Sequence, residues 1–148
     1  MLLVTPLQMA VVAATLANGG TRVRPYLHKK EGNAGEGKRP AGPTVPFSRE
    51  SLDLIREGMR DVVTKGTGRK IATGLSVTCA GKTGTAEIGR GETRRKNTWV
   101  IAFAPYEEPS VAIAMVVERG ESGGKTVAPR INAVLAKIFG STEGGSAQ

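Results

Sequence analysis

Residues 80–87 read "AGKTGTAE", and two chemistries compete for the Gly81-Lys82-Thr83 inside them. One is the tail of a phosphate-cradling loop, the other a strand lining an acyl-transfer site. Counting separates them. A phosphate loop needs Gly, four residues, then Gly-Lys-Ser/Thr, so that successive backbone N–H groups converge on one anion. Counting back from Gly81 puts Ser76 where the first glycine must stand. The second such tripeptide, Gly124-Lys125-Thr126, requires a glycine at 119 and meets Arg119, with Gly120 one residue too close. Read as a strand, the stretch places Lys82 and Gly84 on one face and Thr83 and Thr85 on the other, because successive side chains alternate. Gly84 then lets a substrate backbone come close. Lys82 supplies fixed positive charge, and the two hydroxyls can donate to a carboxylate. An open strand edge adds backbone N–H groups that can bind an extended peptide or an oxyanion.

The composition limits the classes of function. The 148 residues are 39% hydrophobic but only 4% aromatic, with 20 glycines, which fits one globular unit of aliphatic core and long loops. The net charge of +8 favours anionic partners in general. The cations are scattered in small clusters, Lys29-Lys30, Lys38-Arg39, Arg69-Lys70 and Arg94-Arg95-Lys96, without the interleaved aromatics of a nucleic-acid surface. No nucleic-acid partner is expected. Cys79 is the only cysteine and His28 the only histidine. An internal disulfide and a cysteine zinc cluster are therefore excluded, and the chain offers little for an imidazole metal site or a Ser-His-Asp triad. We expect no metal and no cofactor, and His28, beside two lysines, reads as a solvated loop residue. The longest apolar run, "MAVVAATLA", is too short to span a bilayer. Residues 1–17 lack the basic start of a leader peptide and are broken by Thr5-Pro6, so they read as folded structure.

Thr5 as N-cap and Pro6 at the first helical position open a helix through "LQMAVVAATLA", apolar on most sides and hence expected to be buried. Asn18-Gly19-Gly20 stops it. "TRVRPYLHKK" reads as a short edge strand because of Pro25, and residues 31–46 as a mobile Gly/Pro-rich loop. A second helix starts at Ser48, with Leu52, Ile55, Met59 and Val62 on its buried face. "TKGTGRKIATG" is a loop. Strands follow at 76–87, 97–104 and 110–118. The last two are apolar at nearly every position, as in strands covered on both faces, and "PYEEPS" between them is short enough for an antiparallel hairpin. Val127, Ile131, Val134, Leu135, Ile138 and Phe139 mark one face of a last helix, and 141–148 reads as a disordered tail. The fold class is α+β, an antiparallel sheet flanked by helices. Two doubly covered strands in so narrow a sheet call for neighbouring structure.

Four segments occur in a fixed order: "VTPLQMAVVAATLANGGTRVRP", "AGKTGTAE", "TWVIAFAPYEEPSVAIAMVVE" and "GGKTVAP". Together they closely resemble the C-terminal part of the transpeptidase domain of class B penicillin-binding proteins over residues 2–139, most of all the elongation type, with the division type as the near alternative. Lys-Thr-Gly is itself a motif of active-site serine enzymes that recognise β-lactams. The resemblance implies a β-lactamase/transpeptidase-like fold and serine acyl transfer on D-Ala-D-Ala stem peptides at the extracytoplasmic face of the membrane. It implies that Lys82 supports the electrostatics of the catalytic groups. Thr83 and Thr85 would bind the substrate or β-lactam carboxylate beside Gly84, and the backbone N–H of Thr85 would form half of an oxyanion hole.

The same family needs a Ser-x-x-Lys helix start and a Ser-x-Asn loop upstream of these segments. No Ser-x-Asn occurs in the sequence, and Ser122-Gly-Gly-Lys125 matches Ser-x-x-Lys only by letter, in a glycine-rich loop after the last strand. That motif works where a helix sets the lysine one turn from the serine. The expectation is therefore a partial domain over 1–148 that lacks its nucleophile and is inactive alone. Its partners would be the missing N-terminal half of the domain, or other copies of the chain through an open sheet edge at 110–118. A different class of reading, a basic non-catalytic module for wall polymer, anionic lipid or nucleic acid, rests on charge alone, with "IGRGETRRKN" as its best location.

Overall fold

The computed structural model describes residues 3–26, 42–90 and 94–142. Helix α1, Pro6–Ala17, opens on a reciprocal cap: the Thr5 hydroxyl accepts from the Gln8 N–H at 3.2 Å, and the Gln8 side chain accepts from the Thr5 N–H at 2.8 Å. It stops at Asn18 because Gly19 and Gly20 take φ of +79° and +103°, a region nearly closed to residues with a Cβ. Helix α2, Arg49–Thr64, is capped by Ser48, whose hydroxyl accepts from the Ser51 N–H at 3.2 Å. The strands are β1 (Ala80–Ile88), β2 (Arg95–Ala104) and β3 (Val111–Glu118), antiparallel in the order β1-β2-β3. A single wide turn at Gly123–Val127 then runs straight into α3, Ala128–Phe139.

The apolar run of β2 is explained by its central place. Val100, Ala102 and Ala104 pack with Ile131 and Leu135 of α3 on one face. Ile101 and Phe103 pack with Ala13 and Ala17 of α1 and Met59 of α2 on the other. Phe103, Ile131 and Leu135 are fully buried, each contributing about 1.5–3 kcal/mol. In β1, Lys82 pairs with Ile101, Thr83 with Val100, Gly84 with Trp99 and Thr85 with Thr98. Ala80 lies in the α1–α2 cluster, so alternation puts Lys82 on that face and Thr83 and Thr85 on the α3 face.

The boundaries move where tertiary contacts override local pattern. The first strand starts at Ala80 instead of residue 76, because Ser76 is turned aside to donate to the Phe139 carbonyl at 2.7 Å. Residues 22–26 form no strand; only Thr21 bridges Thr44. The expected loop at 31–46 is held at its far end, where the Val45 N–H donates to Gly20; residues 31–41, with His28, lie outside the described residues. The loop 64–74 contains a 3-10 turn, Arg69–Ile71, that buries Ile71. On α2 the buried residue is Val63 rather than Val62, and Ile55 is exposed. Val134 and Ile138 of α3 are also exposed. Residues 141 and 142, expected to belong to the tail, are held in place: Ser141 bridges Leu75 and the Thr142 N–H donates to the Gly74 carbonyl; 143–148 lie outside the described residues. The largest departure is α1, expected to be buried, which exposes Leu7 and Val12 beside an exposed Leu3.

Candidate functional site

Strand β1 carries the candidate residues Lys82–Thr85 and pairs only with β2 among the described residues. Its other edge has no partner strand there. Thr83 is 9% exposed, and its hydroxyl shares a 2.6 Å hydrogen bond with the hydroxyl of Thr67, from the link between α2 and the 3-10 turn. Lys82 is exposed on the opposite face and donates through Nζ to the Thr83 carbonyl at 2.6 Å. Thr85 is exposed. Among the described residues nothing requires glycine at position 84: a Cβ there would meet nothing closer than the Trp99 Cβ, at 3.7 Å. Gly81 differs, since its Cβ would lie 2.9 Å from the Ile101 carbonyl oxygen.

Facing Thr83 and Thr85 is a cleft of about 520 Å³ whose opposite walls are Gly66–Lys70 and Ser122–Lys125. Two glycines make it. A Cβ on Gly123 would sit 2.5 Å from the Trp99 carbonyl oxygen and 3.1 Å from the Thr83 Cβ, and one on Gly124 would sit 2.3 Å from the Thr67 carbonyl oxygen. The loop can lie on β1 only without side chains there. Ser122 caps the wide turn, its hydroxyl accepting from the Lys125 N–H at 3.2 Å. The Lys125 ammonium is bound instead to the Glu121 carboxylate, a hydrogen bond and charge that raise its pKa. Ser122 therefore caps its own turn, and the lysine is turned toward a carboxylate.

Of the residues singled out in the sequence, Lys82 through Thr85 share one strand, with the two threonines at the cleft and Lys82 across the sheet. At the hairpin end, Arg94 binds Glu87 and, by that hydrogen bond first, lowers its carboxyl pKa; Arg95 and Lys96 open β2 as exposed residues. Cys79 is buried beneath the start of β1, and burial raises its pKa to about 11. Sequence reasoning missed Thr67 and the packing role of Gly123 and Gly124. Glycines flanking a threonine at 66–68 were visible, but nothing local shows that the loop returns to β1.

The comparisons converge on one family. The penicillin binding protein transpeptidase domain matches residues 2–136. Penicillin-binding protein 2B of Streptococcus pneumoniae serotype 2 is 34% identical over 91% of this chain and 22% of its own length. The peptidoglycan D,D-transpeptidase MrdA of Acinetobacter baumannii is 35% identical over 81% of this chain and 20% of its own. The crystal structure of Pseudomonas aeruginosa PBP2 in complex with WCK 5153 superposes with a TM-score of 0.78 at 31% identity, covering 98% of this chain and 32% of that one. The chain thus spans about a fifth of the length of these two curated relatives. With the match running from before α1 into α3 and through the Lys-Thr-Gly strand, the chain belongs to the penicillin-binding protein transpeptidase family and has its β-lactamase/transpeptidase-like fold.

Proposed function

We propose that this chain is the C-terminal portion of a peptidoglycan DD-transpeptidase of the elongation type. The parent cross-links stem peptides through a serine acyl-enzyme and binds β-lactams at the extracytoplasmic face of the membrane. The observation that carries the reading is the open edge of β1, with Gly84 free of any internal need for glycine and two threonine hydroxyls at the adjoining cleft. Thr83 and Thr85 donate to the terminal carboxylate of a D-Ala-D-Ala peptide or a β-lactam. The Thr85 N–H is one oxyanion donor, and Lys82 brings positive charge to the catalytic groups. The nucleophile comes from the part of the domain that meets this one. The same part, or a second copy of this chain, covers the exposed apolar side of α1 and the edge of β3; sedimentation at high concentration distinguishes a self-associating chain from a strict monomer.

Binding is separable from acylation and can be measured on this chain. Titrating 15N-labelled protein with N-acetyl-D-Ala-D-Ala should move the amide signals of residues 82–85 in the millimolar range. Signals that stay fixed there, or that move only at Arg94–Lys96 and revert with salt, would replace this reading by a basic polymer-binding surface.

A further inference from the structure

The cleft beside β1 is larger and more cationic than one carboxylate needs. None of its lining residues is acidic. Lys125 is neutralised by Glu121, but no hydrogen bond or ion pair engages the side chains of Arg69 or Lys70, the other two cations of this cleft, among the described residues. The two free cations are held on a defined frame. The Ile71 N–H donates to Gly68 at 2.8 Å to close their turn, Ile71 is fully buried beneath it, and the Thr67–Thr83 hydroxyl pair joins it to β1. A carboxylate on Thr83 and Thr85 leaves that wall unmet.

We infer that Arg69 and Lys70 form a second anion subsite, so that the cleft prefers a peptide bearing another carboxylate within two residues of its C-terminal one. The inference rests on the proposed binding of a terminal carboxylate at Thr83 and Thr85, and it names the substrate class of that same site. Thr67 ties the two subsites together, so both carboxylates are read by one rigid surface. Both charges are exposed, so their effect is modest and salt-dependent.

The test uses the whole chain and two probes of equal size, N-acetyl-D-Glu-D-Ala and N-acetyl-D-Gln-D-Ala, titrated by 15N NMR at low salt. The acidic dipeptide should bind about 3- to 10-fold more tightly than its amide. The double variant Arg69→Gln/Lys70→Gln should bring the ratio to about 1, while affinity for the D-Gln probe stays within about 2-fold, which also shows that the fold is intact. A wild-type ratio near 1, or a preference that survives in the double variant, overturns the inference and leaves the carboxylate site at Thr83 and Thr85 standing. If residues 82–85 respond to neither probe nor to N-acetyl-D-Ala-D-Ala, the proposed function fails at this strand and the subsite falls with it.

Discussion

Gly84 and Gly123 lie almost in contact, yet alanine should act on them in opposite ways. At Gly123 the new Cβ would be 2.5 Å from the Trp99 carbonyl oxygen and 3.1 Å from the Thr83 Cβ. Backbone cannot move aside cheaply, so the loop must lift, at a cost of about 1–3 kcal/mol. For a chain of this size that lowers Tm by about 2–10 °C. At Gly84 the nearest atom is 3.7 Å away, an ordinary contact, and replacing a strand glycine by alanine recovers up to about 0.5–1 kcal/mol of backbone entropy. Gly84→Ala should therefore keep or slightly raise Tm. Its methyl group would stand on the Lys82 face at the open edge of β1, along which we place the substrate backbone, so affinity for N-acetyl-D-Ala-D-Ala should fall about tenfold or more, a loss of roughly 1.4 kcal/mol. Scanning calorimetry and NMR titration of both variants give the two readouts. The reasoning fails if Gly84→Ala destabilises as much as Gly123→Ala, or if it binds the dipeptide as wild type does.

Arg56 donates to the Leu16, Ala17 and Tyr106 carbonyls and lies over the Phe103 and Tyr106 rings at 5.3 and 5.4 Å; Arg56→Ala should cost about 2–4 kcal/mol in urea denaturation, and Arg56→Lys should recover little, because the planar fork is lost. Thr67→Val removes the partner of the Thr83 hydroxyl and should cost about 0.5–1.5 kcal/mol, while Thr67→Ser keeps that partner and should stay close to wild type; a loss in Thr67→Ser with Thr67→Val as stable as wild type would point to packing of the methyl group instead. Cys79, with its pKa raised to about 11 by burial, should resist a thiol-reactive disulfide at pH 8 until the chain unfolds. Because the folded pKa lies above the unfolded one, the neutral thiol's contribution is complete below about pH 9 and lost as pH rises toward 11, and Cys79→Ala should flatten that part of the stability profile.

Legibility followed the range of the interactions. The caps at Thr5 and Ser48, the stop at Gly19-Gly20 and the doubly covered β2 are local or periodic signals, and all could be read from the sequence. The order of four segments was enough to identify the family. What could not be read depends on where distant segments meet. Ser76 leaves the strand because Phe139 offers a carbonyl, Ile71 is buried because the α2–β1 link folds inward, and Thr67 reaches Thr83 across a gap of sixteen residues. Ser122-Gly-Gly-Lys125 was legible only as a letter match in a glycine-rich loop, whereas the structure uses its two glycines to seat the loop on β1. The apolarity of α1 was read correctly and its burial was not, because hydrophobicity shows that a face can be covered without showing what covers it.

On this proposal Lys82–Thr85 form one wall of an acyl-transfer site whose nucleophile is elsewhere. Intact-mass analysis of the chain after incubation with a fluorescent penicillin tests it most directly. The mass should stay unmodified, with Ser122 capping its turn and Lys125 bound to Glu121. A stoichiometric covalent adduct, above all one mapped to Ser122 by peptide sequencing, would contradict it.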